Sequence, residues 1–367
     1  MSDSPGPHEP LSETFSLSAF HYELPSELIA QEPAATRDQS RLLVVDKNRG
    51  IISHHFFCDL PNFLKDSDIL VLNETHVVPA LLIGRKSSGG SVELLVLDPV
   101  PPSESSSESQ TVVRECLIKS SKPLKSGTKI IMNDGTELVT ERPVSPGRAR
   151  VVFPSQEKAF MAFLSRYGSM PLPPYIKRTN RREQRDRERY QTVYAKTSGS
   201  VAAPTAGLHF SHQLLRNLQD RGVTLAHVVL HVGPGTFIPV REKDIREHKM
   251  EREHYFIPPE TAHLIGKAIR ENRRIVAVGT TTVRALESAA DENNIVKTGY
   301  GSTNLFIFPG YHFKIVQGLI TNFHLPGSTL LMLVCAFGSY DLVMRAYGEA
   351  LAAGYRWYSY GDASLII

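Results

Sequence analysis

The sequence predicts an α/β protein, a mostly parallel-sheet α/β domain carrying an inserted small β-barrel domain. Two patterns support this. From about Ser155 onward, helical and strand-like runs alternate in the rhythm of βαβ units. Between Val77 and Phe153, short β-rich runs alternate with turn clusters and no helical period intervenes. Length agrees: 367 residues, 41% hydrophobic and 22% charged, suit two folded domains and exclude a fully disordered chain or a fibre.

Taken in order, residues 1–14 are rich in Pro, Ser, Asp and Glu, lack the apolar core of a signal peptide, and are expected to be a disordered extension. Residues 15–76 are assigned to the first part of the α/β domain. Pro25-Ser26-Glu27 starts a short helix continued by Leu28-Ile29-Ala30. Arg41–Asp46 and Ile51–His55 flank the turn Lys47-Asn48-Arg49-Gly50 as a hairpin, and Asp68–Leu72 is a further apolar run ending in Asn73.

Residues 77–153 are assigned to the barrel. Its strands are Ala80–Gly84, Val92–Leu97, Val112–Ile118, Lys129–Met132, Glu137–Thr140 and Ala149–Phe153, with Asn133-Asp134-Gly135 as a hairpin turn. Pro99–Gln110 is a Pro/Ser/Glu-rich segment expected to form a mobile loop. Residues 154–367 form the main α/β part. It contains helices at Glu157–Tyr167, Ser211–Arg221, Pro259–Asn272 and Thr282–Asp291, strands at Thr224–His231 and Arg274–Val278, and another strand within Phe313–Thr321. Leu330–Phe337 reads as a buried strand or helix, too short to span a bilayer.

The net charge of +3 is small, so an anionic partner has to be held by local patches and not by a global field. Three cysteines, with no CxxC pair, provide no disulfide framework and fit a reducing compartment. Fourteen histidines include no HExxH, so no metal site is expected.

Several stretches look chemical. Met170-Pro-Leu-Pro-Pro-Tyr175-Ile-Lys177-Arg178 runs into Arg181, Arg182, Arg185, Arg187 and Arg189; rigid prolines, guanidinium forks and tyrosines suit RNA, while a solvated helix of self-paired charges fits the same composition. Lys196–Phe210 is rich in small residues, contains Thr205 and His209, and feeds a helix whose N-terminus favours an anion. Leu230-His231-Val232-Gly233-Pro234-Gly235 is a strand end followed by a tight turn. It is not a dinucleotide fingerprint, because no third glycine and no helix follow. Val278-Gly279-Thr280-Thr281-Thr282-Val283-Arg284 is strand, glycine, hydroxyls and helix start, suited to a carboxylate or to plain capping. Asn322, His324 and Asp362 lie in further turns beside aromatic residues.

Together these phrases (PLPPYIKR, ERYQTVYAKTSGSVAAPTAGLHF, LHVGPGTFIPVR, AVGTTTVRALESA, TNFHLPGSTLLMLV and YGDA), with LIAQEP, SRLLVVD and LNETHVVPALLIGRK upstream, resemble the S-adenosylmethionine:tRNA ribosyltransferase-isomerase family of queuosine biosynthesis. The resemblance runs from about Phe15 to the C-terminus. His76, Pro234 and Gly327 depart from the family pattern, which has an arginine, a small residue and an acid there.

The resemblance implies an α/β domain with an inserted barrel. It also implies transfer and isomerisation of the ribosyl moiety of S-adenosylmethionine onto a 7-aminomethyl-7-deazaguanine at the tRNA wobble position, with release of adenine and methionine. S-adenosylmethionine is then a consumed cosubstrate, and no metal is required. Residue type and motif membership nominate His209, His231, His324 and Asp362 as catalytic. Thr205, Gly233, Gly235, Thr280, Thr281, Thr282, Arg284 and Asn322 are expected to hold the donor, and Tyr175, Lys177, Arg178, Arg181, Arg182 and Arg185 to meet tRNA. The expected protein is a cytoplasmic monomer without membrane contact. A tRNA methyltransferase using the same donor and a non-catalytic RNA-binding protein are the alternatives; the missing glycine-rich fingerprint weighs against the first, the His-bearing strand ends against the second.

Overall fold

The computed structural model describes residues 15–100, 109–177, 183–233, 235 and 240–367. The expected N-terminal extension, most of the Pro/Ser/Glu-rich loop, and Arg178, Arg181 and Arg182 lie outside the described residues.

In chain order the elements are β1 (Arg41–Asp46), β2 (Ile51–Phe56), β3 (Ile69–Asn73), β4 (Thr75–Val77), β5 (Leu81–Lys86), β6 (Ser91–Val96), β7 (Val112–Ser120), β8 (Lys129–Ile131), β9 (Glu137–Ser145), β10 (Arg148–Phe153), α1 (Phe160–Tyr167), β11 (Gly168–Ser169), α2 (Glu183–Arg189), β12 (Thr197–Ser200), α3 (His212–Asp220), β13 (Thr224–Leu230), β14 (Glu253–Ile257), α4 (Pro259–Arg270), β15 (Ile275–Val278), α5 (Thr280–Ala289), β16 (Gly299–Thr303), β17 (Gly318–Asn322), α6 (Thr329–Gly338), α7 (Tyr340–Ala352) and β18 (Ala363–Ile366).

The α/β part is a nine-stranded sheet in the order β16-β14-β13-β3-β15-β17-β18-β1-β2. Its centre, β13-β3-β15-β17, is parallel throughout. The flanks are antiparallel at β16-β14, β14-β13, β17-β18 and β1-β2, and parallel at β18-β1, so the sheet is mixed, with its parallel character concentrated in the middle. The reason is burial. β3 and β15, apolar at nearly every position, are covered on both faces, as interior parallel strands are. The less buried β2 and β16 close the edges as antiparallel partners of β1 and β14.

Helices α4 to α7 pack one face of the sheet. The segment Phe57–Leu64 and α3, which Ser211 caps by accepting the Leu214 N–H, pack the other. The predicted barrel is present: β5-β6-β7-β10-β9-β8 closes through β8 pairing back to β5, and β11 lies against β5. α1 plugs this barrel with Phe160 and Leu164.

Leu330–Phe337 is helix α6, apolar all round because it is buried all round. Helix α7 was not foreseen, although Leu342, Val343, Ala346, Tyr347 and Ala350 carry the helical spacing. The helix expected at 25–30 shrinks to the 3₁₀ turn Ser26–Leu28, because Ile29 and Ala30 are drawn into pairing with Trp357. Among the described residues no single helix is long and apolar enough to cross a membrane.

Candidate active site

All four central strands end at one place. Leaving β3 the chain presents Asn73 and Thr75; leaving β13, His231 to Gly233; leaving β15, Gly279 to Thr281; leaving β17, Asn322 to His324. The chain visits β3, then β13 on one side, then β15 on the other. Neighbouring loops therefore diverge at β3 and open a crevice beyond the carboxyl ends, the usual ligand position in open α/β sheets. Asn73 fastens the crevice floor. Its amide donates to the Leu230 carbonyl at 3.0 Å and to Thr281 Oγ1 at 3.3 Å, and its Oδ1 accepts the Leu230 and Thr75 N–H groups.

Two cavities share this floor. The first is a narrow, mostly apolar crevice whose walls include Tyr175, Thr205, Thr280, Thr281, Asn322 and His324. The second, about 810 Å³, lies between the β13-β14-β16 edge and the barrel-side residues Leu97 and Asp98, and His231 lines it. Val232 belongs to the walls of both.

Asn322 is the centre of the first crevice. It is buried, and its Nδ2 donates to the Tyr358 carbonyl (3.0 Å) and to His209 Nε2 (3.1 Å). His209 Nε2 is then an acceptor, so the ring proton sits on Nδ1 and donates to Ser40 Oγ at 2.7 Å. The Ser40 hydroxyl reaches back to the Arg37 carbonyl. This relay fixes the amide and leaves Asn322 Oδ1 buried without a hydrogen-bond partner among the described residues. A buried carbonyl oxygen left unpaired on a residue that lines a crevice is suited to a ligand's N–H. Tyr358, whose carbonyl orients the amide, holds a left-handed φ of 71°, a strain that its neighbours impose at this site.

The histidines divide by environment. His209 is buried, stacked on Phe57 with ring centroids 5.1 Å apart, and hydrogen-bonded at both nitrogens, to Ser40 and to Asn322, whose amide it orients. Burial pushes its pKa down to about 3, with help from Arg356 and Arg37. His324 bonds Thr321 Oγ1 through Nε2 at 2.7 Å and is likewise driven by burial to about 3. His231 bonds Thr75 Oγ1 through Nδ1 at 2.9 Å while its ring lines the larger cavity; burial, then His254, lowers it to about 4. Its ring lies against Gly199, where a Cβ would come within 2.6 Å of Cε1, so only glycine lets the imidazole sit there. All three are neutral at pH 7, and a neutral imidazole can accept a proton.

The shifts carry a stability consequence. In the unfolded chain these histidines titrate near the usual 6.5. The folded values are depressed, so the unfolded state takes up protons first as pH falls. Stability is therefore at its full level above about pH 6.5 and drops between there and about pH 3 to 4 as the three rings would have to charge. Urea unfolding should show lower stability at pH 5 than at pH 7; equal midpoints and m-values at the two pH values would show that the rings are solvated.

Several nominated residues are employed elsewhere. Asp362 accepts the Arg41 N–H (2.9 Å) and the Arg356 N–H (2.8 Å) and so ties the start of β1 to the C-terminal turn; it does not line the crevice. Arg284 is buried, forms an ion pair with Glu253 and donates through Nε to the Leu305 carbonyl, while its Nη2 has no hydrogen-bond partner among the described residues. Glu253 also accepts the Gly233 N–H at 3.0 Å, which anchors the loop after β13. Thr282 turns its hydroxyl back to the Val278 carbonyl at 2.6 Å, inside the helix. Thr280 and Thr281, at the α5 N-terminus behind Gly279 (φ 90°), remain on the crevice wall, as does Thr205. Gly233 belongs to the larger cavity, and Gly235 lies with it against Glu251 in a smaller neighbouring one.

Of the residues nominated for tRNA, Tyr175 faces inward. It lines the crevice, packs its ring against Tyr358 with centroids 4.6 Å apart and bonds Ser359 Oγ at 2.6 Å, and burial raises its phenol to about 12. Arg185 pairs with Glu32 at 2.9 Å, while Arg187 and Arg189 donate to the carbonyls of Gly168, Ala34 and Ala35; the described part of the basic segment is largely fastened to the protein. Lys177 is exposed. Sequence reasoning missed Ser40, Thr75, Glu253 and Tyr358, which become site residues only through contacts from distant segments. Asn73, a polar residue ending an apolar strand, was the one with a legible signal.

Among the described residues no group of three His, Cys, Asp or Glu side chains is arranged to hold a metal. The family model described as "Queuosine biosynthesis protein" matches residues 17–366. The chain is 48% identical over 352 residues to an S-adenosylmethionine:tRNA ribosyltransferase-isomerase of Geotalea uraniireducens, covering 95% of this chain and 99% of that protein. It is 48% identical over 352 residues to one of Symbiobacterium thermophilum, covering 96% and 99%. The crystal structure of S-adenosylmethionine tRNA ribosyltransferase from Thermotoga maritima is similar at 34% identity and a TM-score of 0.53, over 95% of this chain and 100% of that one.

Proposed function

The chain belongs to the queuosine biosynthesis family of S-adenosylmethionine:tRNA ribosyltransferase-isomerases, and from that premise we propose that it moves the ribosyl moiety of S-adenosylmethionine onto the aminomethyl group of a 7-deazaguanine at the tRNA wobble position. The product is epoxyqueuosine-tRNA; adenine and methionine leave. The observation that carries this reading is the pair of cavities sharing Val232, one narrow and apolar with an unpaired carbonyl, one large and open beside His231.

A donor in the first crevice would offer amino N–H groups to Asn322 Oδ1 and its carboxylate to the Thr280-Thr281 helix start. The sulfonium acidifies the C5′ protons of the donor. Neutral His231, the one of the three histidines whose ring lines the larger cavity, takes one of these protons. The resulting ylide collapses with cleavage of the bond to adenine, which leaves with the electron pair and takes a proton back from the His231 imidazolium. The tRNA amine then attacks the ribosyl fragment, and epoxide closure expels methionine. His324 orders Thr321 at the crevice wall. Lys177, with Arg178, Arg181 and Arg182 outside the described residues, is the proposed phosphate contact. A cytoplasmic, monomeric enzyme with tRNA as partner fits this reading.

Products decide the matter. With tRNA bearing the aminomethyl base, free adenine and methionine are expected in equal amounts. S-adenosylhomocysteine in their place would make the protein a methyltransferase, and neither product would make it a binding protein.

A further inference from the structure

We propose that Phe256 and Tyr300 form a stacking platform for an unpaired base of the RNA loop that enters the larger cavity; the proposal rests on the ribosyl-transfer reading above. β16 is the terminal strand of the sheet, and its register sets Tyr300 directly opposite Phe256 of β14. The two rings lie 4.6 Å apart, and Tyr300 is 85% exposed. Strand alternation sorts the side chains. Glu253 and Thr303 turn toward α5, where they meet Arg284 and Ser288. Phe256, Tyr300, His254 and Ser302 lie on the other face and line the cavity with His231; Glu253 and Tyr255 reach its wall as well.

A single exposed tyrosine needs no explanation. This one is paired with a second ring at the mouth of a cavity of about 810 Å³, far larger than one base requires, on a floor continuous with the candidate proton-transfer residue. Charge favours a base over a phosphate track. Arg252 is outnumbered on this cavity wall by Glu74, Asp98 and Glu253, the last paired with Arg284; the excess of carboxylates repels a phosphate track, and carboxylate oxygens suit the amino edges of bases. Exposed aromatic rings on a sheet bind single-stranded nucleic acid by stacking, largely independent of sequence.

The test is equilibrium binding of the full chain to the tRNA anticodon stem-loop and to a duplex of its stem alone. Tyr300→Ala and Phe256→Ala should each raise the stem-loop Kd, roughly 5- to 150-fold per lost stack. Tyr300→Phe should stay near wild type, and duplex affinity should not move. Because Tyr300 is solvated, an unchanged Tm is expected and checks the fold. Unchanged stem-loop affinity in both alanine variants, with adenine release intact in the wild type, overturns the platform and leaves the ribosyl-transfer reading standing. A wild-type chain that neither binds tRNA nor releases adenine overturns both. Sedimentation showing a dimer that Tyr300→Ala dissociates would assign the rings to a second copy of the chain and also overturn the platform.

Discussion

Asn322→Ala is expected to lower kcat/KM by roughly 10²–10³-fold, the usual cost of removing one preorganised hydrogen-bonding group from an active site. Its Oδ1 is held unpaired in the crevice by two contacts on the other end of the amide, from Tyr358 and His209. His209→Ala should lose much of the same activity without contacting a reactant, because the amide is then free to turn. Removing that ring also leaves a cavity beside Phe57 and strands Ser40, so His209→Ala should cost about 2–4 kcal/mol of stability as well. The two roles separate in the pH–rate profile. Removing a positioning histidine leaves the shape of the profile unchanged, whereas removing His231, lowered to about 4, takes away the acid limb near that pH. A double-mutant cycle completes the test: full additivity of Asn322→Ala and His209→Ala in kcat/KM would show that the relay does not exist.

Arg284→Met should be the most destabilising single change away from the crevice, at about 3–5 kcal/mol, because it leaves the Glu253 carboxylate buried and uncompensated. The same carboxylate anchors the Gly233 N–H, so disturbing it also loosens the loop after His231. Neutralising both partners, in Arg284→Met with Glu253→Gln, should recover most of the loss, since glutamine still accepts from Gly233 and no charge remains buried. Denaturant unfolding of the three variants measures this. A double variant no better than Arg284→Met alone would mean that the arginine acts by packing and not by charge compensation.

What was legible beforehand follows from the range of the interactions involved. Alternation with period two marked the barrel strands, and the helix–strand rhythm marked the α/β sheet, because both report which side of a local element meets water. The helix start at Ser211 was legible for the same reason, because a cap satisfies local backbone needs; the helix expected from Thr282 begins two residues earlier, at Thr280. Four of the motifs also landed at strand ends around one crevice, since a turn after a buried parallel strand must emerge there.

The sequence by itself thus determined most of the barrel strands and central α/β elements, the barrel insertion, the motif-bearing loops and, through the resemblance those loops carry, the family, while α7 and the flanking strands β14, β16 and β18 emerged only in the structure. Tertiary structure alone decided which polar side chain serves the site and which serves the fold. Asp362 and Arg284 stand in motifs as prominent as those of Asn322 and His231, yet one is spent on the backbone of Arg41 and Arg356 and the other on Glu253. A buried polar atom takes the nearest partner available, and that partner comes from a segment hundreds of residues away or from an adjoining strand. No local pattern records it, so Ser40, 169 residues from His209, becomes part of the site only once the sheet has brought them together.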